Sequence, residues 1–229
     1  MRALGAITTP VVAIGDRWIS GAAFDRLDEF FRTNGAVRSE RREVGEAVGN
    51  IFNDAGETTV LDEWQLAARL DGLLSKAVRY MRALPNDMLP VPLPERGKEG
   101  RTVRGLAWHI GQVAQDPLRA AEGVAIVKAM HEYDPPDELS TSRALADRAE
   151  DIRAALAALL APGTQLPTSV AEYFHGPYSF HGLLERTTWH VATHVRQLAW
   201  MLAESAIDRT AGLTADETAD LPMPLFVWK

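Results

Sequence analysis

Four segments of this chain repeat apolar residues at a helical period, and that repeat limits the possible folds more than any other feature. In "LDEWQLAARLDGLLSKAVRYMRAL" the residues Leu66, Leu70, Leu73, Ala77, Met81 and Leu84 fall on one stripe. This is the spacing of an amphipathic helix that buries one face. Thr59 with Asp62 reads as a capping pair ahead of it. Pro85 stops it, because proline brings no N–H to the helical ladder. After the loop "PNDMLPVPLPERGKEG" a second helix begins near Thr102, is kinked or broken by Pro117 and ends at Gly123. The stretch "VAIVKAMHEYDPPDEL" is ambiguous at first and then loop-like. A third helix, "SRALADRAEDIRAALAALL", stops at Pro162-Gly163, and a fourth runs from about Phe180 to Ala206. Long one-faced helices joined by loops predict a four-helix bundle.

The first 35 residues read differently. "PVVAIGDRWISG" predicts two short strands around a Gly-Asp turn, and "AAFDRLDEFFRTNG" a short helix closed by Asn34-Gly35. So small a piece holds no core of its own and is expected to dock on something. Residues 36–58 carry charge and glycine with little periodicity and read as a linker, which leaves 59–229 as the helical domain. The expected fold class is mainly α, a four-helix bundle with a small N-terminal β-hairpin plus helix.

Charge and composition narrow the chemistry. A net charge of -7 gives no basic footprint for phosphate neutralisation, so no nucleic-acid partner is expected. The absence of cysteine removes disulfides, thiolate metal sites and cysteine nucleophiles. The opening "MRALGAITTPVVAIG" shows no signal-like cleavage site, and no apolar run approaches the roughly 18 residues of a membrane span. The expectation is a cytoplasmic protein without a membrane partner.

What chemistry remains is carried by histidine. His190 and His194 lie four residues apart in the fourth predicted helix, about 40° apart around its axis, on one face with Leu183, Thr187, Leu198 and Met201. Two inward imidazoles each need a partner. A shared metal satisfies both, and so would separate local hydrogen bonds. His109 is the best third ligand, since it sits among Leu106, Ile110 and Val113 in the second predicted helix. Three nitrogens would leave coordination positions open, an arrangement suited to catalysis. By contrast, His181 is nine residues before His190, faces the other side and reads as exposed. His131 lies in a polar stretch and reads as solvated, and His175, in "YFHGPYSFHG", reads either as structural or as part of a pocket lining. Trp108, Gln112 and Trp189 neighbour the ligands and either shape a pocket or pack. Arg104 and Arg196 are candidates to hold a carboxylate, with a surface role as the alternative. No residue is singled out as catalytic.

"LAWHIGQVA" around His109 and "WHVATHVRQLAWML" around His190 and His194 resemble the DinB-like metal-dependent bundle superfamily over about residues 60–210. The shared pattern is one histidine in the second helix and an HxxxH pair in the fourth, followed by a Gln-Leu pair, here Gln197-Leu198. The resemblance implies a four-helix bundle with a divalent metal in its core, often in a homodimer. It also implies kinship with thiol-dependent transferases and isomerases.

A second resemblance covers about residues 3–32, where "LGAITTPVVAIGDRWISGAAFDRLDEFF" is similar to the second half of a glutaredoxin. It implies glutathione contacts at Thr9, Pro10, Ser20, Gly21 and Asp25. The first half of that fold, with its cysteine motif, has no counterpart in this sequence, so glutaredoxin redox chemistry is not expected.

Together these readings predict a metal-dependent thiol transferase or lyase acting on a small electrophile or thiol adduct, with glutathione as a possible cosubstrate. Zinc is favoured by ligand type, with nickel, iron or manganese as alternatives. A hydrolase without a thiol cosubstrate and a non-enzymatic metal- or ligand-binding protein are the competing expectations.

Overall fold

A computed structural model describes residues 11–14, 17–20, 61–94, 100–224 and 226–228. The chain divides into two compact units, Met1–Gly56 and Glu57–Lys229. In the first unit, strands β1 (Val11–Ile14) and β2 (Arg17–Ser20) pair antiparallel, with Val11 opposite Ser20 and Ile14 opposite Arg17. Of the expected glutathione contacts only Ser20 is among the described residues, as the last residue of β2. Thr9, Pro10, Gly21 and Asp25 lie outside them, as do the predicted helix after β2 and the predicted linker.

The described part of the second unit is mainly helical. Helix α1 (Glu63–Ala83) starts at Asp62, whose carboxylate accepts from Gln65 N at 2.8 Å while Gln65 Oε1 accepts from Asp62 N at 2.8 Å. This reciprocal cap satisfies two of the N–H groups that a helix start leaves without intrahelical partners. The sequence pairing of Thr59 with Asp62 is thus three residues early: Asp62 is the cap, Gln65 its partner, and Thr59 lies outside the described residues. The predicted stripe is the buried face, from Leu66 through Leu84.

The second predicted helix is two helices. Helix α2 (Val103–Ala114) is capped by the hydroxyl of Thr102, and α3 (Asp116–Ala121) follows after a break at Gln115. Pro117 explains the break, since its ring cannot sit against the carbonyl four residues before it in a continuous helix. Gly123 ends α3 at φ +72, and the reversal leaves two closing bonds, Gly123 N to Ala120 O at 3.1 Å and Val124 N to Arg119 O at 2.8 Å. That backbone region carries little cost for glycine alone.

Helix α4 (Ser142–Leu159) is capped by Thr141, and α5 (Phe180–Glu204) by Ser179. A four-residue helix α6 (Ala215–Thr218) lies near the end. Helices α4 and α5 both pack on α1, and both also pack on α2. The core between them is aliphatic, with Leu70, Leu74, Leu106, Ile110, Leu183, Leu184 and Leu198 inaccessible to solvent or nearly so. No described helix is long and apolar enough to cross a membrane.

The loop from α3 to α4 is less open than its sequence suggests. It holds short 3-10 turns at Lys128–His131 and Asp137–Leu139. Ile126 N donates to Glu172 O at 2.8 Å and ties this loop to the segment that leads into α5.

Helix α5 ends through Ala206 at φ 56, with Ala206 N donating to Ala203 O and Ile207 N to Leu202 O, both at 3.0 Å. The same closure at Gly123 is unstrained, whereas alanine pays for its Cβ there. Ala206→Gly is therefore expected to stabilise the protein by about 0.5–1 kcal/mol, read as a higher denaturant midpoint with an unchanged m-value.

Candidate metal centre

Three histidines from two helices meet inside the second unit. His109 comes from α2, and His190 and His194 from α5. Each offers a ring nitrogen, and these atoms all lie within 4.8 Å of one another. The ring centroids are 5.5 Å apart for His109 and His190, 4.8 Å for His109 and His194, and 4.7 Å for His190 and His194. His109 and His194 are buried, while His190 is half-buried at the edge.

The local reasons are those of the helices. His109 follows the stripe of Leu106, Ile110 and Val113, all of which are buried. Leu183, Thr187, Leu198 and Met201 are buried as well, so the face read from sequence does turn inward. Packing of α2 on α5 then brings the two helix faces together.

Two of the three rings are held neutral. Burial holds His109 and His190 well below the usual imidazole range, and the neighbouring His194 works in the same direction for both. Neutral imidazole is the form that ligates a metal. Among the described residues, Nδ1 of His109 and Nδ1 of His190 are buried without a hydrogen-bond partner. An unmade hydrogen bond at a buried polar atom costs about 1–3 kcal/mol. The fit to a metal ion is therefore one of chemistry as well as distance: three nitrogen donors, two of them held neutral by burial, converge within 4.8 Å.

His194 is oriented by a chain of bonds. Gln197 Nε2 donates to Val227 O at 3.0 Å, which turns Gln197 Oε1 toward His194 Nδ1 at 2.7 Å. An acceptor at Nδ1 requires the proton there and leaves the lone pair on Nε2. His109 is fixed by packing. Tyr133 stacks on it at 4.2 Å between centroids, and the Arg101 guanidinium covers the Tyr133 ring at 3.9 Å. Gly105 permits this approach, because a Cβ there would lie 2.5 Å from the Tyr133 carbonyl oxygen.

Next to the triad lies a buried polar network. His131 is buried, not solvated as its polar surroundings suggest, and its Nε2 is 2.9 Å from Asp116 Oδ1. Arg119 donates to the same Asp116 oxygen at 3.0 Å and to Gln112 Oε1 at 2.8 Å. A buried carboxylate is costly unless paired, and here two partners share it. The His131 ring stands edge-on to His109 at 5.9 Å, with the Tyr173 hydroxyl 3.4 Å from His131 Nδ1.

The remaining sequence candidates separate from the site or take packing roles. His181 is half-buried and pairs with Glu63 at 3.2 Å, so it is not the free surface residue expected. His175 is exposed, its ring against Phe174. Arg104 donates to the carbonyls of Pro135, Pro136 and Leu139, and Arg196 to those of Pro224 and Phe226, so both tie down backbone instead of waiting for a carboxylate. Trp108 packs against the core, Gln112 serves Arg119, and Trp189 stacks on His190 at 5.4 Å.

Sequence reading misses Tyr133, the buried state of His131, and Arg186. The Arg186 guanidinium lies over the Tyr173 ring at 4.9 Å and near that of Trp189 at 5.9 Å. Burial pushes the Tyr173 hydroxyl up to about 12, against the pull of Arg186. A hint for Arg186 is present, since it is four residues before His190, but a charge four residues from a histidine is commonplace on helix surfaces.

Comparison with family models, curated proteins and solved structures finds no significant match to this chain.

Two substitutions test the site as built. Gln197→Leu strips His194 of its orienting acceptor and is expected to weaken metal affinity by about 10–100-fold at unchanged helix content, measured by competition with a chromophoric chelator. Gly105→Ala forces the Tyr133 backbone off α2 and is expected to cost about 1–3 kcal/mol in denaturant unfolding, with weaker metal binding.

Proposed function

We propose that the second unit is a four-helix bundle of the DinB-like type, that His109, His190 and His194 hold a divalent metal, and that the protein is a thiol-dependent transferase or lyase acting on a small electrophile. The observation that carries this reading is the convergence of three buried or half-buried ring nitrogens within 4.8 Å. Zinc is the proposed metal, because neutral imidazole suits it; nickel, iron and manganese fit the same donors. Three protein ligands leave positions open for a reactant.

When bound, such a metal lowers the pKa of a thiol or water that joins it. The chain's own residues supply the rest. Gln197, braced by Val227, keeps the His194 lone pair on the side of the other two rings. Tyr133 and its Arg101 cover close the His109 side. The half-buried edge at His190 is the approach left to a small molecule. Support for a thiol cosubstrate comes from the two sequence resemblances, and glutathione is the thiol proposed.

Elemental analysis is the first test. About one metal per chain is expected in the wild type and none in His109→Ala, His190→Ala or His194→Ala. Wild-type turnover of a small electrophile is then expected to require added glutathione or a related thiol, and to vanish in His194→Ala. Turnover indifferent to thiol would point to a hydrolase, and bound metal without turnover across thiols and electrophiles to a binding role. Full thiol-dependent activity in His194→Ala would remove the proposed mechanism.

A further inference from the structure

Arg186 stands one helical turn before His190 on α5, so Arg186, His190 and His194 follow one another along a single face. His109 and His194 are buried and His190 is half-buried, so the less enclosed edge of the triad is at His190, one turn from Arg186. The guanidinium is held between aromatic faces, 4.9 Å from the Tyr173 centroid and 5.9 Å from that of Trp189. Trp189 in turn stacks on His190. The cation therefore belongs to the wall that continues from the metal ligands.

Its partners do not account for its charge. Its Nε is buried with no hydrogen-bond partner, and no carboxylate pairs with it among the described residues. The other arginines near the site are engaged: Arg119 with Asp116 and Gln112, Arg104 and Arg196 with backbone carbonyls. Aromatic faces and a hydrogen bond with the Tyr173 hydroxyl offset part of the cost of removing a guanidinium from water, but neither brings a negative charge to its fork of N–H donors. A fork of this kind matches a planar carboxylate with two parallel hydrogen bonds.

From this placement we infer that Arg186 is the anion-binding residue of the site, and that the ligand is a small molecule bearing a carboxylate at one end and a metal-ligating atom at the other. The inference rests on the metal reading for the second half of that ligand, and on Arg186 alone for the first. It narrows the substrate class to organic acids and sets their orientation, with the carboxylate toward the N-terminal end of α5 and the reacting end toward His190.

The test uses full-length protein loaded with Co(II), whose visible spectrum reports a thiolate joining the metal. The probes are 3-mercaptopropionate and 2-mercaptoethanol, which share a thiol and differ in the carboxylate. Wild type is expected to bind the acid at least tenfold more tightly. Arg186→Gln is expected to lose that preference while keeping Co(II) uptake and its affinity for 2-mercaptoethanol, and Arg186→Lys, which keeps charge without the fork, to retain only part of it. An equal preference in Arg186→Gln, or none in the wild type, overturns the inference and leaves the metal reading intact. Inorganic phosphate competing as well as succinate overturns the carboxylate assignment. If the wild type takes up no Co(II), the metal reading fails, and the carboxylate half is read from Trp fluorescence of the metal-free protein on adding succinate. A response lost in Arg186→Gln then sustains it, and no response overturns it. Should Arg186→Gln not fold, by circular dichroism, Arg186→Lys decides by the same preference.

Discussion

The second unit is organised around an unsatisfied demand. Packing α2 on α5 brings three imidazoles together, and the buried Nδ1 atoms of His109 and His190 find no hydrogen-bond partner among the described residues. Burial keeps His109 and His190 neutral, so the charge repulsion that would otherwise prise the helices apart is absent. A largely apolar core tolerates such a cluster only at a cost, and a cation shared by all three rings would offset it.

Much of the surrounding structure serves to hold those rings. Gln197 and Val227 set the tautomer of His194, and through that contact Val227 is tied to α5. Tyr133 reaches His109 because Gly105 lets its backbone lie against α2. The loop that carries Tyr133 is anchored by Asp116 through His131, and by Arg104, which takes up three of its carbonyls. Loops that run over a surface usually leave backbone groups to water. Here arginine side chains do that work, which fixes the loops at defined positions beside the site.

Helices were readable where one rule acted alone. The stripe in α1, the Thr102 start of α2, the Pro117 break and the Gly123 stop follow from periodicity, capping and backbone freedom, and each stands where those rules put it. The N-terminal cap of α1 was displaced because Thr59 and Asp62 are both good caps, and only the partner at Gln65 distinguishes them. His131 was misread for a different reason. Its neighbours in sequence are polar, yet the buried carboxylate it meets lies fifteen residues away.

What the sequence by itself determined is the four long helices, which faces they bury, and that His109, His190 and His194 lie on inward faces, because period and polarity act over a few residues. What only the tertiary structure decided is that the three rings bring their nitrogens within 4.8 Å of one another, that Tyr133 and Gln197 brace two of them, and that Arg186 packs between Tyr173 and Trp189. Those relations join residues from different elements, and they depend on how α2, α5 and two loops settle against each other, a matter of packing that no local pattern records.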